Sequence, residues 1–127
     1  MFFTTSSETP NEIGTASVLL NEIDEVYLNS FCFGFRADNN ILNPKFSQFL
    51  FRSEIFRKKM IPLAQGSTRY NISKSVFVKL KINLPSLEEQ IKIANFLNSI
   101  SVKIETEKNL LEQYKDQKKY FLQNMFI

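Results

Sequence analysis

The last third of the chain constrains the fold most, because a helix start is followed there by an uninterrupted helical pattern. Pro85 precedes Ser86, Glu89 follows three residues later, and residues 86–127 contain neither Gly nor Pro. In such a capping box the Ser86 hydroxyl accepts a hydrogen bond from the Glu89 backbone N–H, and the Glu89 carboxylate accepts one from the Ser86 N–H. The sequence therefore predicts one long helix from about residue 87 to about residue 124.

This predicted helix carries a coiled-coil pattern. Counted in sevens from Ile93, eight of the ten a and d positions are apolar or aromatic, namely Ile93, Leu97, Ile100, Ile104, Leu111, Tyr114, Phe121 and Met125. Glu107 and Lys118 occupy the other two positions. The helix would be ~57 Å long at 1.5 Å per residue, which is more than a small domain needs to close its core. We therefore predict that the eight residues, called the apolar seam below, mediate dimerisation.

Composition excludes several classes of function. The chain of 127 residues has no His and one cysteine, Cys32, which removes Ser-His and Cys-His catalysis, thiolate metal clusters and intramolecular disulfides. The three glycines are too far apart to form a phosphate-binding loop. We expect no enzymatic activity, no metal and no cofactor. The first residues lack the basic and apolar stretches of a signal peptide, and no apolar run approaches ~18 residues, which favours a cytoplasmic protein.

The net charge of +3 is unevenly distributed along the chain. Residues 1–35 carry five acids and no base, residues 36–81 carry ten bases and two acids, and residues 86–127 carry six of each. The middle region therefore has a local charge of +8, ten minus two, and precedes a neutral helix. This distribution indicates a polyanion as the partner of the middle region and a protein as the partner of the helix.

Residues 1–85 carry signals for both strands and helices, and we predict that they form one small domain, with residues 86–127 as a helical arm. Asn43-Pro44 and Ser53 mark the starts of two short helices. Residues 4–14 are predicted to be irregular. Strands are predicted at residues 16–20, 25–28, 31–36 and 76–82, the last because its apolar side chains alternate. The fold class is α+β, a small mixed sheet with two short helices followed by one long coiled-coil helix.

Aromatic residues are frequent in the predicted domain and suit either a core or a surface on which bases stack. Their spacing, by two along strands and by three or four along helices, favours the core. The residues concerned are Phe31, Phe33, Phe35, Phe46, Phe49, Phe51 and Phe56.

The segment from Gly66 to Lys74 concentrates the side chains best suited to binding DNA. Arg69 offers the guanidinium that grips guanine with two hydrogen bonds, and Asn71 offers the amide that does the same for adenine. Hydroxyl and ammonium groups in the same segment, together with Arg36, suit the DNA backbone. The predicted DNA-binding residues are Arg36, Ser67, Thr68, Arg69, Tyr70, Asn71 and Lys74.

The order of these features resembles a known family. The loop Gly-Ser-Thr-Arg-Tyr-Asn-Ile-Ser at 66–73 is followed by Leu-Lys-Ile-Asn-Leu-Pro at 80–85, by Leu-Glu-Glu-Gln at 87–90 and by Lys-Lys-Tyr-Phe-Leu-Gln-Asn-Met-Phe at 118–126. Together they are similar to the end of a target-recognition domain and the adjoining conserved helix in the DNA-specificity (S) subunit of type I restriction–modification systems.

The resemblance implies a non-catalytic subunit that reads one half of a split site in double-stranded DNA. It also implies a helix that pairs antiparallel with a second specificity half, or with a second copy in a homodimer. That pair would dock the methyltransferase subunits and, through them, the restriction subunit. The 85 residues before the helix are fewer than the ~150 typical of a full domain, so we expect a recognition domain shortened at its N-terminal side. A competing interpretation is a remnant that only pairs through its helix and no longer binds DNA.

Overall fold

The computed structural model describes residues 1–21 and 23–126 of the chain. Two units follow one another along it, Met1–Ala94 and Asn95–Ile127. The first contains five short strands and three short helices, and the long final helix begins there and continues into the second. Among the described residues, no helix is both long enough and apolar enough to cross a membrane. The predicted α+β class is confirmed.

A three-stranded antiparallel sheet forms around the first residues of the chain. Strand β1 (Phe2–Thr4) lies between β3 (Ala16–Ser17) and β4 (Cys32–Gly34). Phe3 is fully buried and pairs with Ala16 on one side and Phe33 on the other. Because side chains alternate between the two faces of a strand, the Phe3 ring points into the core, whereas Phe2 and Thr4 are only half-buried.

A second, two-stranded sheet joins β2 (Ser6–Ser7) to β5 (Tyr70–Asn71). Two predictions for the first 36 residues, one of an irregular segment and one of a strand, are wrong. Residues 4–14, predicted to be irregular, include the end of β1 and all of β2. Residues 25–28, predicted as a strand, contain no strand, and Glu25 has a φ of 57°, which breaks an extended chain. The strand predicted at residues 31–36 is confirmed as β4, and that at 16–20 is confirmed only for its first two residues.

Two short helices form where their caps predict them. Helix α1 (Pro44–Leu50) has Asn43 as its N-cap, whose Oδ1 accepts from the backbone N–H groups of Lys45 and Phe46 at 2.9 and 3.1 Å. Helix α2 (Glu54–Met60) is capped by Ser53, whose hydroxyl accepts from the Phe56 N–H at 3.3 Å. A 3₁₀ turn, Ile61–Leu63, ends this segment.

Aromatic rings fill the core between the sheet and these helices. The Phe3 ring meets Phe51 edge-on with centroids 5.0 Å apart, and the Phe51 and Phe56 rings meet the same way, also at 5.0 Å. Of the seven phenylalanines predicted to be core, Phe46, Phe51 and Phe56 are buried, and Phe33 and Phe49 are partly buried. For Phe31 and Phe35 the prediction is wrong, because they are 50% and 42% exposed.

The strand predicted at residues 76–82 is also wrong. Ser73 starts helix α3 (Lys74–Phe77) by accepting a hydrogen bond from the Val76 N–H, and the Val78 N–H then donates to the Lys74 carbonyl at 3.0 Å. The apolar residues Leu80 and Ile82 pack against the core without joining a sheet. Phe77 packs against the core as well, whereas Val78 is 65% exposed, so the predicted alternation of buried side chains is not observed at these two positions. The Ser73 side-chain cap starts a helix here in place of the strand.

The long helix α4 (Leu87–Asn124) begins with the predicted capping box. The Ser86 N–H donates to the Glu89 carboxylate at 2.9 Å, and the Glu89 N–H donates to the Ser86 hydroxyl at 3.4 Å. The Ser86 hydroxyl also donates to the Glu89 carboxylate at 2.7 Å, and this bond, followed by that from the Ser86 N–H, lowers the pKa of the Glu89 carboxyl. Gln90, in the first turn, is 1% exposed.

The helix α4 presents apolar side chains to solvent from Ile93 onward. Seven of the eight apolar-seam residues are at least 40% exposed, and Leu97 is partly buried. Three of them, Ile100, Ile104 and Leu111, line one shallow surface groove together with Glu107. Met125 lies just beyond the end of the helix.

Candidate nucleic-acid interface

The segment from Gly66 to Asn71 is built as a hairpin whose returning strand is β5. Gln65 and Asn71 exchange two backbone hydrogen bonds, at 2.8 and 2.9 Å, and so close the loop between them. Gly66 has a φ of 127°, and a Cβ at this position would lie 2.1 Å from the Arg69 carbonyl oxygen. Only glycine satisfies both conditions, because other residues neither adopt that φ readily nor fit the space. The loop therefore depends on Gly66.

The Arg69 side chain contacts two residues outside this loop. Its Nε donates to the Ser6 hydroxyl of β2 at 2.8 Å, and its guanidinium carbon lies 5.0 Å from the centre of the Phe31 ring. A guanidinium over an aromatic face is attracted by the ring quadrupole. The side chain is nevertheless exposed, as are Ser67 and Thr68.

Asn71 and Tyr70 lie in strand β5, and their environments differ from that of Arg69. The Asn71 Nδ2 donates to the Arg69 carbonyl at 3.2 Å, so part of the amide is engaged by the loop itself. An amide has two N–H groups and an oxygen, which leaves one donor and the acceptor for another partner. Tyr70 is half-buried.

Lys74 follows the hairpin at the start of α3, beside the buried Ile72 and the capping residue Ser73. Its side chain is exposed. The structure thus places six of the seven predicted DNA-binding residues within residues 67–74, each with an exposed or half-buried side chain: Ser67, Thr68, Arg69, Tyr70, Asn71 and Lys74.

Arg36 lies elsewhere in the first unit. Arg69 lies over Phe31, whose carbonyl accepts from the Thr5 N–H at one end of the hydrogen-bonded ladder between β1 and β4. The Phe35 N–H donates to the Met1 carbonyl at the other end, about 13 Å away at 3.3 Å per residue. Arg36 lies just beyond Phe35 and lines an apolar cavity of about 420 Å³. Burial, and secondarily the charge of Arg36, lower the pKa of the Met1 ammonium.

Several other bases of the +8 region hold the domain together. The Arg52 Nε donates to the Ala16 carbonyl at 3.3 Å, and Arg57 donates to the carbonyls of Ile13, at 2.6 Å, and Asn11. Burial lowers the pKa of Arg57. The Lys59 ammonium donates to the Lys81 carbonyl at 2.8 Å. These cations contribute to the electrostatic field of the domain, but hydrogen bonds to backbone carbonyl groups of the same domain fix their positions.

The sequence did not point to the two residues that contact the Arg69 guanidinium. The spacing of the aromatic residues favours the core for Phe31, and Ser6 lies in a segment predicted to be irregular. Neither has a local pattern that would have revealed its role, because the contact joins positions 38 and 63 residues from Arg69, the differences of 69 from 31 and 6.

The sequence of the chain matches a known protein family. Residues 2–116 match the family model described as the type I restriction modification DNA specificity domain. The match covers most of the chain, and the chain belongs to this family. The predicted family, and with it the prediction of a specificity component and not an enzyme, is confirmed.

Two characterised relatives are similar over most of this chain. It is 34% identical over 104 residues to the type I restriction enzyme MjaVIII specificity subunit of Methanocaldococcus jannaschii. It is 29% identical over 89 residues to the type I restriction enzyme StySPI specificity subunit of Salmonella potsdam. The alignments cover 80% and 70% of this chain but only 24% and 19% of those proteins, so the chain spans a quarter or less of their length. No solved structure matches the chain significantly.

Proposed function

We propose that this protein is a sequence-specific DNA-recognition and assembly module of a type I restriction–modification system. The observation that carries the proposal is the Gly66 hairpin, which presents a held guanidinium, an amide and hydroxyl groups on an exposed loop. Family membership supports the same role. We place the protein in the cytoplasm, where its DNA would be.

The seven predicted DNA-binding residues fall into two groups by their proposed role. Arg69 and Asn71 are the candidates for base edges, because guanidinium and amide groups pair with guanine and adenine through two hydrogen bonds. The remaining predicted residues suit the sugar–phosphate backbone, which fixes register without reading sequence. They are Arg36, Ser67, Thr68, Tyr70 and Lys74.

The helical half of the proposal concerns assembly. The apolar seam of α4 exposes side chains that a partner helix would cover, either of a second copy or of another specificity half. An antiparallel pair would then dock the methyltransferase subunits and, through them, the restriction subunit. Methyl transfer and DNA cleavage would belong to these partners.

Glu107 and Lys118 would set the register of that pair. In an antiparallel dimer centred near residue 112, Glu107 of one helix lies close to Lys118 of the other, and the attraction offsets part of the desolvation cost. Polar residues at seam positions restrict register more than they add stability.

The DNA-binding proposal is tested by selecting bound sequences from random duplexes and titrating the selected duplexes with salt. Affinity should fall with a log–log slope of about −0.9 per phosphate neutralised. Arg69→Ala should cost about 1–3 kcal/mol on the preferred sequence and much less on random DNA, whereas Lys74→Ala should weaken both alike.

A charge-matched control for these variants is Lys115→Ala, since Lys115 pairs with Glu112 at 2.7 Å in the second unit. It should leave the binding of both duplexes unchanged. If no sequence is enriched and no binding is measured at low salt, the competing interpretation, a pairing module without DNA binding, replaces the proposal.

A further inference from the structure

The Arg69 guanidinium is held from two sides by residues of two other chain segments. Ser6 accepts the Nε hydrogen bond at 2.8 Å, and the Phe31 ring lies under the guanidinium at 5.0 Å. Within residues 1–21 and 23–126, the two terminal nitrogens, Nη1 and Nη2, have no hydrogen-bond partner. One edge of the group is thus engaged, one face is covered, and the opposite edge carries donors for a ligand.

Backbone hydrogen bonds tie both contacts to the hairpin. The Thr5 N–H donates to the Phe31 carbonyl at 2.7 Å, and the Thr5 carbonyl accepts from the Ile72 N–H at 2.9 Å. Asn29 adds a side-chain acceptor, its Oδ1, for the Phe31 N–H at 3.0 Å. Thr5 therefore connects the segment that carries Phe31 with Ile72, just after the hairpin that carries the arginine, and Ser6 is the neighbour of Thr5 in sequence.

This arrangement contributes little to the stability of the domain. Phe31 is half-exposed and Arg69 is exposed, so neither side chain belongs to the core. Its main effect is on the arginine, whose long side chain loses freedom before any ligand binds. A group that is already immobilised loses less entropy on binding.

Building on the proposed function, we infer that Phe31 and Ser6 are positioning residues that preset Arg69 for the O6 and N7 acceptors of a guanine base. A fixed guanidinium plane favours a flat pair of acceptors, because both hydrogen bonds must lie in the plane of the base. Phosphate oxygens accept from many directions and gain less from a fixed plane. The ligand class is therefore a guanine edge in duplex DNA.

The test compares Phe31→Leu and Ser6→Ala with the unaltered chain on a selected, guanine-containing duplex. Each variant should bind about 3- to 10-fold more weakly, the factor associated with immobilising one flexible side chain. The same duplex with 7-deazaguanine lacks the N7 acceptor and keeps only O6, so on it each variant should lose less affinity relative to the unaltered chain than on the guanine duplex. Phe35→Leu is the matched control, since Phe35 is a comparably exposed ring at the other end of the ladder, and it should bind both duplexes as the unaltered chain does.

A measurement without DNA tests the positioning directly. In the free chain, ¹⁵N relaxation of the Arg69 Nε–Hε group should show a more restricted bond than that of the exposed Arg36, and Phe31→Leu should remove the difference. Equal mobility of the two arginines overturns the inference.

The DNA measurements separate failure of the inference from failure of the proposed function. If the unaltered chain selects no duplex, both fail. If it selects a duplex and Phe31→Leu binds like the unaltered chain, only the inference fails. If the variants lose equal affinity on the guanine and 7-deazaguanine duplexes, Arg69 contacts phosphate, and the inference is also overturned.

Discussion

Replacing Gln90 by Leu should destabilise the first unit, although glutamine is usually a surface residue of a helix. The side chain is fully buried in the first turn of α4. Its Oε1 accepts from the Asn43 N–H at 2.9 Å, and its Nε2 donates to the carbonyls of Ile41 and Pro85 at 3.0 and 2.9 Å. One side chain thus connects the start of the long helix with the N-cap of α1.

The size of the effect follows from these three bonds. Leucine has a similar volume, so the substitution leaves little cavity but removes all three partners. A buried backbone group left without a partner costs about 1–3 kcal/mol, and carbonyl groups tolerate this better than N–H groups. Counting mainly the Asn43 N–H, with smaller losses at the two carbonyls, we expect a destabilisation of roughly 2–4 kcal/mol.

Urea unfolding, followed by near-UV circular dichroism of the tyrosines and phenylalanines, measures this loss. The control is Gln117→Leu, the same replacement at an exposed position of the same helix. Surface substitutions usually change stability by less than about 0.5 kcal/mol. If the midpoint of Gln90→Leu moves no further than that of Gln117→Leu, the buried bonds do not hold the junction and the argument is wrong.

Three further predictions concern α4. Replacing three seam residues together by glutamate, Leu97, Ile104 and Leu111, should convert the dimer into a monomer in sedimentation experiments. An unaltered chain that is already monomeric at high micromolar concentration would contradict the dimer. Exchanging the charge of Glu107 or Lys118 alone should weaken the dimer more than exchanging both, whereas additive losses in the double-mutant cycle would show that the two side chains do not meet. The lowered pKa of Glu89 means that its contribution to stability is complete above the ordinary Glu pKa and is lost as pH falls through the lower, folded-state value. Melting temperatures at decreasing pH should therefore fall less for Glu89→Gln than for the unaltered chain, and parallel curves would refute this role.

Local signals in the sequence were sufficient for three of the helices, α1, α2 and α4. Asn43, Ser53 and Ser86 each cap a helix through a hydrogen bond to a residue two or three positions away, so the interaction is contained in a few consecutive residues. The seam of α4 is a periodic pattern and was equally visible. The absence of His and the single Cys excluded whole classes of chemistry without any structure.

Tertiary structure decided the strand pairing, the strands β1, β2 and β5, and the neighbours of the candidate site. Phe3 becomes central because Ala16 and Phe33 pair with it from distant positions, and strands of two or three residues leave no periodic pattern to detect. At residues 76–82 the alternating pattern favours a strand, yet the Ser73 cap and the packing of Leu80 against the core produce a helical turn and an irregular segment. The contacts of Arg69 with Ser6 and Phe31, like those of Gln90, join residues far apart in sequence, and only the folded chain brings such residues together.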